Sequence, residues 1–81
     1  MNNSIKPVGI SAITLLAREK GAIIIHAKRT EFVADDFWVI MAKTERGEFV
    51  TWLFAHGGFH HGHYFNHNFT DCITDFMSRD S

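Results

Sequence analysis

Residues 37–65, FWVIMAKTERGEFVTWLFAHGGFHHGHYF, decide the fold, because three apolar runs alternate there with two short gaps that contain glycine. The runs are rich in aromatic and β-branched residues, a composition typical of β-strands. They predict strands at 37–43, 49–55 and 59–65. Gaps of two to five residues favour hairpins, so these strands are expected to be antiparallel neighbours in one sheet.

One more strand and one helix are predicted upstream of this segment. The stretch AIIIHAK at 22–28 is short and β-branched, and Asp35-Asp36 has the composition of a turn. Ser11 is a suitable N-cap and Gly21 a suitable terminating residue for a helix at about 11–20. Residues 1–9 are expected to form a flexible arm.

A second helix is predicted downstream, with Asn68 as its N-cap. Apolar residues then recur at the spacing of one helical face: Phe69, Cys72, Ile73, Phe76 and Met77. The expected fold class is therefore α+β, a four-stranded antiparallel sheet flanked by an N-terminal and a C-terminal helix in the order α-β-β-β-β-α. Residues 1–81 are expected to form a single domain.

The composition and charge of the chain argue against several classes of function. The net charge is −1, whereas a nucleic-acid binder is usually basic, so nucleic acid is an improbable partner. Cys72 is the single cysteine, which rules out an internal disulfide and suits a reducing compartment. The sequence starts without a signal-peptide pattern and lacks the run of about 20 apolar residues that spans a membrane. A cytoplasmic protein with no membrane partner is expected.

The assumed turns predict which residues share a sheet face. Two-residue turns at Arg46-Gly47 and Gly57-Gly58 would put nine residues on one face: Val39, Met41, Lys43, Val50, Trp52, Phe54, His61, His63 and Phe65. The small residues Ala42, Ala55 and Gly62 lie on the other face, which is expected to pack under both helices. The first face would then be exposed and apolar, a surface suited to a partner protein or a second copy of the chain.

The expected contact residues are therefore Trp52, Phe54, His61, His63, Phe65 and Met41. The alternative is that the first helix covers one face of the sheet and the last helix covers the other.

Five of the six histidines lie between His56 and His67. His61 and His63, two apart on a strand, would point the same way, and His56 could be a third zinc ligand. Imidazoles stacked on neighbouring aromatic rings at a wet rim are the alternative. We expect neither a metal ion nor another cofactor, with His56, His61 and His63 as the candidate ligands if a metal binds.

The sequence offers only weak indications of a catalytic site. Cys72 lies on the apolar face of the last helix, where a thiol is usually an inert core residue. Asp71, Asp75 and Asp80 are interpreted as a solvated helix face, and Asp35-Asp36 as turn residues rather than an acid-base pair. The sequence therefore predicts a protein that binds rather than catalyses.

The segment FVTWLFAHGGFHHGHYF, followed by NFTDCITDFMSR, resembles the hairpin-then-helix ending of short proteins encoded by phages and mobile elements, among them anti-CRISPR proteins. The resemblance covers about the last 33 residues. It implies a non-enzymatic inhibitor that blocks a bacterial defence complex, a CRISPR effector, by direct contact in the host cytoplasm. The alternative function is a small histidine-rich metal-binding protein or a homodimeric regulatory protein.

Overall fold

One helix lies on each side of a four-stranded antiparallel sheet. The computed structural model describes residues 9–32 and 35–79. The elements are α1 (Ile10–Glu19), β1 (Ala22–Phe32), β2 (Asp35–Thr44), β3 (Phe49–Ala55), β4 (Gly58–Tyr64) and α2 (Phe69–Ser78). The strands are ordered β1-β2-β3-β4, and each neighbouring pair is antiparallel. The predicted α+β class and element order are confirmed. The predicted flexible arm, apart from Gly9, lies outside the described residues.

The two helices begin differently. Gly9 is the N-cap of α1 and offers no side-chain cap, so the prediction of Ser11 as the cap is wrong. Gly21 follows the helix with a φ of 83°, and its amide donates to the carbonyl of Arg18, as a terminating glycine does. In α2 the predicted cap is confirmed, because Asn68 Oδ1 accepts a hydrogen bond of 3.0 Å from the amide of Asp71.

The first hairpin is longer than its sequence pattern predicts. β1 continues beyond Lys28, and Phe32 pairs with Asp35 at the start of β2, so the turn predicted at Asp35-Asp36 is wrong. Every residue except proline has a backbone N–H and C=O that can pair with a neighbouring strand. The β1–β2 pairing can therefore extend beyond the apolar residues from which the strand was predicted. The β1–β2 register shifts at Ile25, between Ile24 and His26, which marks a β-bulge in this edge strand.

The hairpin loop between β2 and β3, closed by a hydrogen bond between Thr44 and Glu48, has three residues rather than two. The amide of Thr44 donates to the carbonyl of Glu48 at 2.9 Å, so the loop consists of residues 45–47. Gly47 has a φ of 83°, the left-handed conformation that a three-residue hairpin loop needs at its last position. The predicted two-residue turn at Arg46-Gly47 is therefore wrong.

The β3–β4 turn is formed by His56 and Gly57, since Ala55 pairs with Gly58. Their φ values, 54° and 80°, fit the type I′ turn favoured in two-residue hairpins. The turn predicted at Gly57-Gly58 is one residue too late. Farther along, Thr51 pairs with His63 and Leu53 with His60. Two β4 residues, 61 and 62, thus lie opposite the single residue between Thr51 and Leu53, which makes a second bulge.

Each sheet face belongs to one helix. The core on the α1 side comprises Ile13, Ala22, Ile40, Ala42, Val50, Trp52 and Phe54. The core on the α2 side comprises Val39, Met41, Cys72 and Phe76, with Phe37, Phe49, Leu53 and Phe65 packed against it. The predicted nine-residue exposed face is therefore wrong, and the alternative of one helix on each face is observed.

In the part of the chain that the structure describes, no helix is both long enough and apolar enough to cross a membrane.

Candidate protein-contact site

The β3–β4 hairpin carries four exposed histidines, at positions 56, 60, 61 and 63. His56 occupies the turn, and His61 occupies the bulge with a φ of 55°. Positive φ is uncommon for residues other than glycine and marks a backbone held by its surroundings. The turn and the bulge, rather than strand alternation, therefore set the positions of these two rings.

Three of the histidines border an open groove of about 330 Å³. The groove is lined by Phe37, Leu53, Ala55, His56, His60 and His61. Phe37 and Leu53 also pack against the core on the α2 side, and no α2 residue lines the groove. We infer that the groove is the part of this sheet face that α2 leaves uncovered. It combines an apolar floor with a polar rim, as binding sites often do.

The rim is tied to the backbone in two places. Nε2 of His60 lies 3.1 Å from the carbonyl oxygen of Ala55, which fixes that ring across the turn. Arg79, the C-cap residue of α2, donates from Nη2 to the carbonyl oxygen of His61 at 2.7 Å. The end of α2 therefore holds the bulge in place.

Arg79 also belongs to a polar network beneath α2. Its Nη1 donates to Oγ1 of Thr51 at 2.9 Å, and that hydroxyl donates to Oδ2 of Asp75 at 2.5 Å. Both carboxylate oxygens of Asp75 lie 3.1 Å from Nδ1 of His63. Thr51 is fully buried, and it both accepts and donates within this network, so its burial leaves no unsatisfied hydroxyl.

Charge and burial oppose each other at Asp75. Burial raises the pKa of the Asp75 carboxyl. The hydrogen bonds to Thr51 and His63, and the nearby charges of His63 and Arg79, lower it. Because the lowering effects are larger together, the pKa of Asp75 lies below its ordinary value. Burial also lowers the pKa of the Arg79 guanidinium, against the opposing effect of Asp75. Asp75 is thus an ionised anchor rather than a proton donor at neutral pH.

Cys72 is buried, as expected for a core thiol. Burial raises the pKa of the thiol, and the negative charge of Asp75 raises it further. The thiol therefore stays protonated at neutral pH, which makes it a poor nucleophile and a poor metal ligand.

The candidate metal ligands do not converge. Among residues 9–32 and 35–79, no group of three or more His, Cys, Asp or Glu side chains is placed to hold a metal ion. His56 and His61 lie at the groove, whereas His63 is directed to Asp75. The bulge separates His61 from His63 and breaks the alternation that would have aligned them.

The predicted contact residues separate into two groups. Trp52 and Phe54 are buried in the core on the α1 side and Met41 in the core on the α2 side, so the prediction of one shared contact face is wrong. His61 and His63 are exposed, and Phe65 is half-buried. Of the six residues, His61 alone lines the groove.

The polar network was not predicted from the sequence. Asp75 was expected on a solvated helix face, but it lies against β3 and β4. A signal was present in β3, where Thr51 interrupts the apolar run FVTWLFA. A hydroxyl within a buried strand needs a polar partner from another element. The sequence alone could not say which element supplies it.

Comparison of the chain with protein-family models, with curated proteins and with solved structures finds no match.

Proposed function

We propose that this protein acts by binding another protein at the histidine groove, without catalysis. The observation that carries the proposal is the groove's composition, an apolar floor formed by Phe37, Leu53 and Ala55 beneath a rim of three histidines. Interfaces concentrate binding energy where one partner's side chain fills a pocket on the other. A groove of this kind can accept an apolar side chain and surround it with hydrogen-bonding rings.

Rigidity of the rim supports the proposal. The bulge that carries His61 is held by Arg79, and His60 is bonded across the turn. A preformed rim loses little conformational entropy when a partner binds, which favours affinity.

We further propose that the target is a CRISPR effector complex in a bacterial cytoplasm and that binding blocks it stoichiometrically. This choice rests on the resemblance of the last third of the chain to small inhibitors from phages and mobile elements. The net charge of −1 argues against imitation of DNA, so we expect contact with a protein surface rather than with a nucleic-acid channel.

The test is inhibition of purified CRISPR effectors by the wild-type chain and by two groove variants. Ala55→Arg fills the groove from its floor. His61→Asn removes a rim imidazole and keeps a residue type that tolerates positive φ. We expect the wild-type chain to inhibit one effector class at about equimolar ratio. We expect Ala55→Arg to weaken inhibition and calorimetric affinity at least tenfold, roughly the effect of losing one central contact.

Tyr64→Ala is the matched control, because Tyr64 is an exposed aromatic residue on the same strand and outside the groove. It should inhibit as the wild-type chain does, and circular dichroism should show that all variants are folded. Equal inhibition by Ala55→Arg and wild type would place the contact elsewhere. If the wild-type chain leaves every effector class active at micromolar concentration, the proposed target is wrong.

A further inference from the structure

The α2 helix carries an exposed apolar stripe on the flank that faces β1. Phe69, Ile73 and Met77 recur every four residues and are 40%, 36% and 65% exposed. Four-residue spacing aligns side chains along one side of a helix. Asp75 and Arg79 mark the opposite flank, because both reach toward β3 and β4. The stripe and the histidine groove therefore lie on different sides of α2.

A lysine from β1 borders the C-terminal end of the stripe. Nζ of Lys28 donates to the carbonyl of Met77 at 3.3 Å and lies 4.7 Å from the centroid of the Phe76 ring. The exposed ring of His26, also on β1, lies 5.2 Å from the same phenylalanine. A positive charge is therefore held beside the apolar side chains at this end.

A lysine from β2 borders the other end. Nζ of Lys43 lies 5.6 Å from the centroid of the Phe49 ring, and Phe69 stacks on that ring at 4.9 Å. Ile23 pairs with Lys43 and, at 69% exposure, adds apolar surface there. Both ends of the stripe thus combine an apolar surface with an ammonium group.

The neighbouring acidic residues are directed elsewhere. Asp71 accepts a hydrogen bond of 2.8 Å from Nδ2 of Asn68 and, two residues before Ile73, lies on nearly the opposite side of the helix. Glu45 lines a depression together with Lys43, but its Oε2 is directed to Gly21, where an added Cβ would lie 3.3 Å from it. The charged side chains that these contacts place beside the stripe are both lysines.

We propose that the stripe binds an acidic amphipathic helix of a partner protein, at a second surface independent of the histidine groove. A row of apolar side chains on the partner packs along Phe69, Ile73 and Met77, as rows of this spacing do between helices. The stripe spans about 12 Å along the helix axis. The partner therefore needs carboxylates about two turns apart, one for Lys28 and one for Lys43.

Charge favours this occupant over two others. A second copy of the chain would bring its own lysines to the interface, and its stripe offers no carboxylate to pair with them. An anionic membrane attracts lysines, but its surface would also extend over Asp71, which is exposed on α2. A helix contacts only a narrow strip, so it can meet the lysines and avoid this carboxylate.

The exposed area sets the expected strength. At their observed exposures, the three stripe residues and Ile23 leave on the order of 400 Å² of accessible surface, the size of a functional patch on a small monomer. Interfaces of this size are weak and transient. We therefore expect a Kd of about 10 to 500 µM, which rises with salt because exposed ion pairs are screened.

Two helical peptides of about 16 residues are the probes for the test. Both carry leucine at every fourth position and a side-chain staple on the far face, and they differ only in having either glutamate or lysine beside the leucines. Fluorescence anisotropy measures their affinity for the whole chain. The glutamate peptide should bind at least tenfold more tightly than the lysine peptide, because opposite charges across an interface attract and like charges repel.

Two variants with matched controls locate the binding surface. Met77→Glu should weaken binding of the glutamate peptide at least tenfold, whereas Leu15→Glu, at a residue that is 61% exposed on α1, should not change it. Lys43→Glu should reverse the preference between the two peptides. Lys20→Glu makes the same charge change beside Trp52, on the side of α1, and should leave the preference unchanged. Circular dichroism verifies that all four variants are folded.

Three outcomes would overturn the proposal. The first is equal affinity for the two peptides, or no binding of either at about 1 mM. The second is a loss of binding from the control substitutions as large as that from Met77→Glu and Lys43→Glu. The third is that the chain ignores the glutamate peptide but binds vesicles with about 25% phosphatidylglycerol, or dimerises in sedimentation equilibrium, in a way that Met77→Glu abolishes. The stripe would then belong to a membrane or to a second copy.

Discussion

Gly62 has no room for a side chain. A Cβ at this position would lie 2.9 Å from Nε1 and 3.0 Å from Cδ1 of Trp52, and 3.0 Å from Cε1 of Tyr64. The absence of a side chain at Gly62 was expected to let a helix approach the sheet. In the structure it lets the indole of Trp52 lie across the backbone of β4 at the bulge. The prediction of a helix at Gly62 is therefore wrong, because the bulge places the residue beside Trp52 and Tyr64.

Gly62→Ala should therefore destabilise the fold by about 1–3 kcal/mol, since the added methyl displaces the indole from a packed core. Gly58→Ala is the matched control on the same strand, because its methyl would meet only the His60 ring at 3.6 Å or more. Urea unfolding followed by tryptophan fluorescence measures both. Equal losses from the two substitutions would contradict the packing described at Trp52.

At the level of elements, the helices, the strands and their order could be predicted from sequence, but the register could not. Apolar periodicity reports that a strand exists, whereas loop length decides which residues pair. A third residue in the β2–β3 loop moves β3 by one position relative to β2, and a one-residue slip exchanges the two faces of a strand. For that reason the buried Trp52 and Phe54 were predicted to share a face with Met41.

The contact between α2 and the sheet should depend on acid pH through Asp75. Its folded pKa lies below the ordinary value of 3.8, so the ionised form stabilises the fold. This contribution is complete above the unfolded pKa and is lost as pH falls through the folded pKa. Asp75→Asn should cost about 1–2 kcal/mol at pH 6, because Thr51, His63 and Arg79 lose a charged partner.

That cost should shrink toward zero at a pH below the folded pKa, where the wild-type carboxyl is also protonated. Unfolding free energies from urea titrations at the two pH values measure the difference. If the difference between wild type and Asp75→Asn is the same at both, the network does not stabilise α2 through an ionised carboxylate.

For the molecule as a whole, the structure divides the apolar residues into two thin cores, each beneath one helix. The register predicted from the sequence left one apolar sheet face fully exposed. Instead, the apolar surface that the helices do not cover lies in two places. One is the groove that α2 leaves uncovered, and the other is the set of exposed side chains on α2, Phe69, Ile73 and Met77. Neither could be located from sequence, because both depend on where a ten-residue helix lies on the sheet.

Trp52→Ala should remove a large share of the chain's stability. Trp52 is buried between the sheet and α1, with its ring centroid 4.9 Å from that of Phe59. Truncating a buried aromatic residue costs about 3–5 kcal/mol, and a domain of this length has a total stability of only about 4–12 kcal/mol. Far-UV circular dichroism and thermal unfolding measure the loss. A Trp52→Ala protein that unfolds at the wild-type temperature would be inconsistent with a core position.

The bulge at Ile25 has a consequence for self-propagating assembly. The peptide AIIIHA at 22–27 is apolar, rich in β-branched residues and without a formal negative charge, a composition typical of segments that form amyloid. It lies in the edge strand β1, where another strand could add to the sheet. The β-bulge in the middle of β1 interrupts the row of unpaired backbone amides and carbonyls on its outer side. An added strand therefore cannot pair with β1 over its whole length. The bulge at Ile25 therefore makes this edge a poorer template for the addition of another strand.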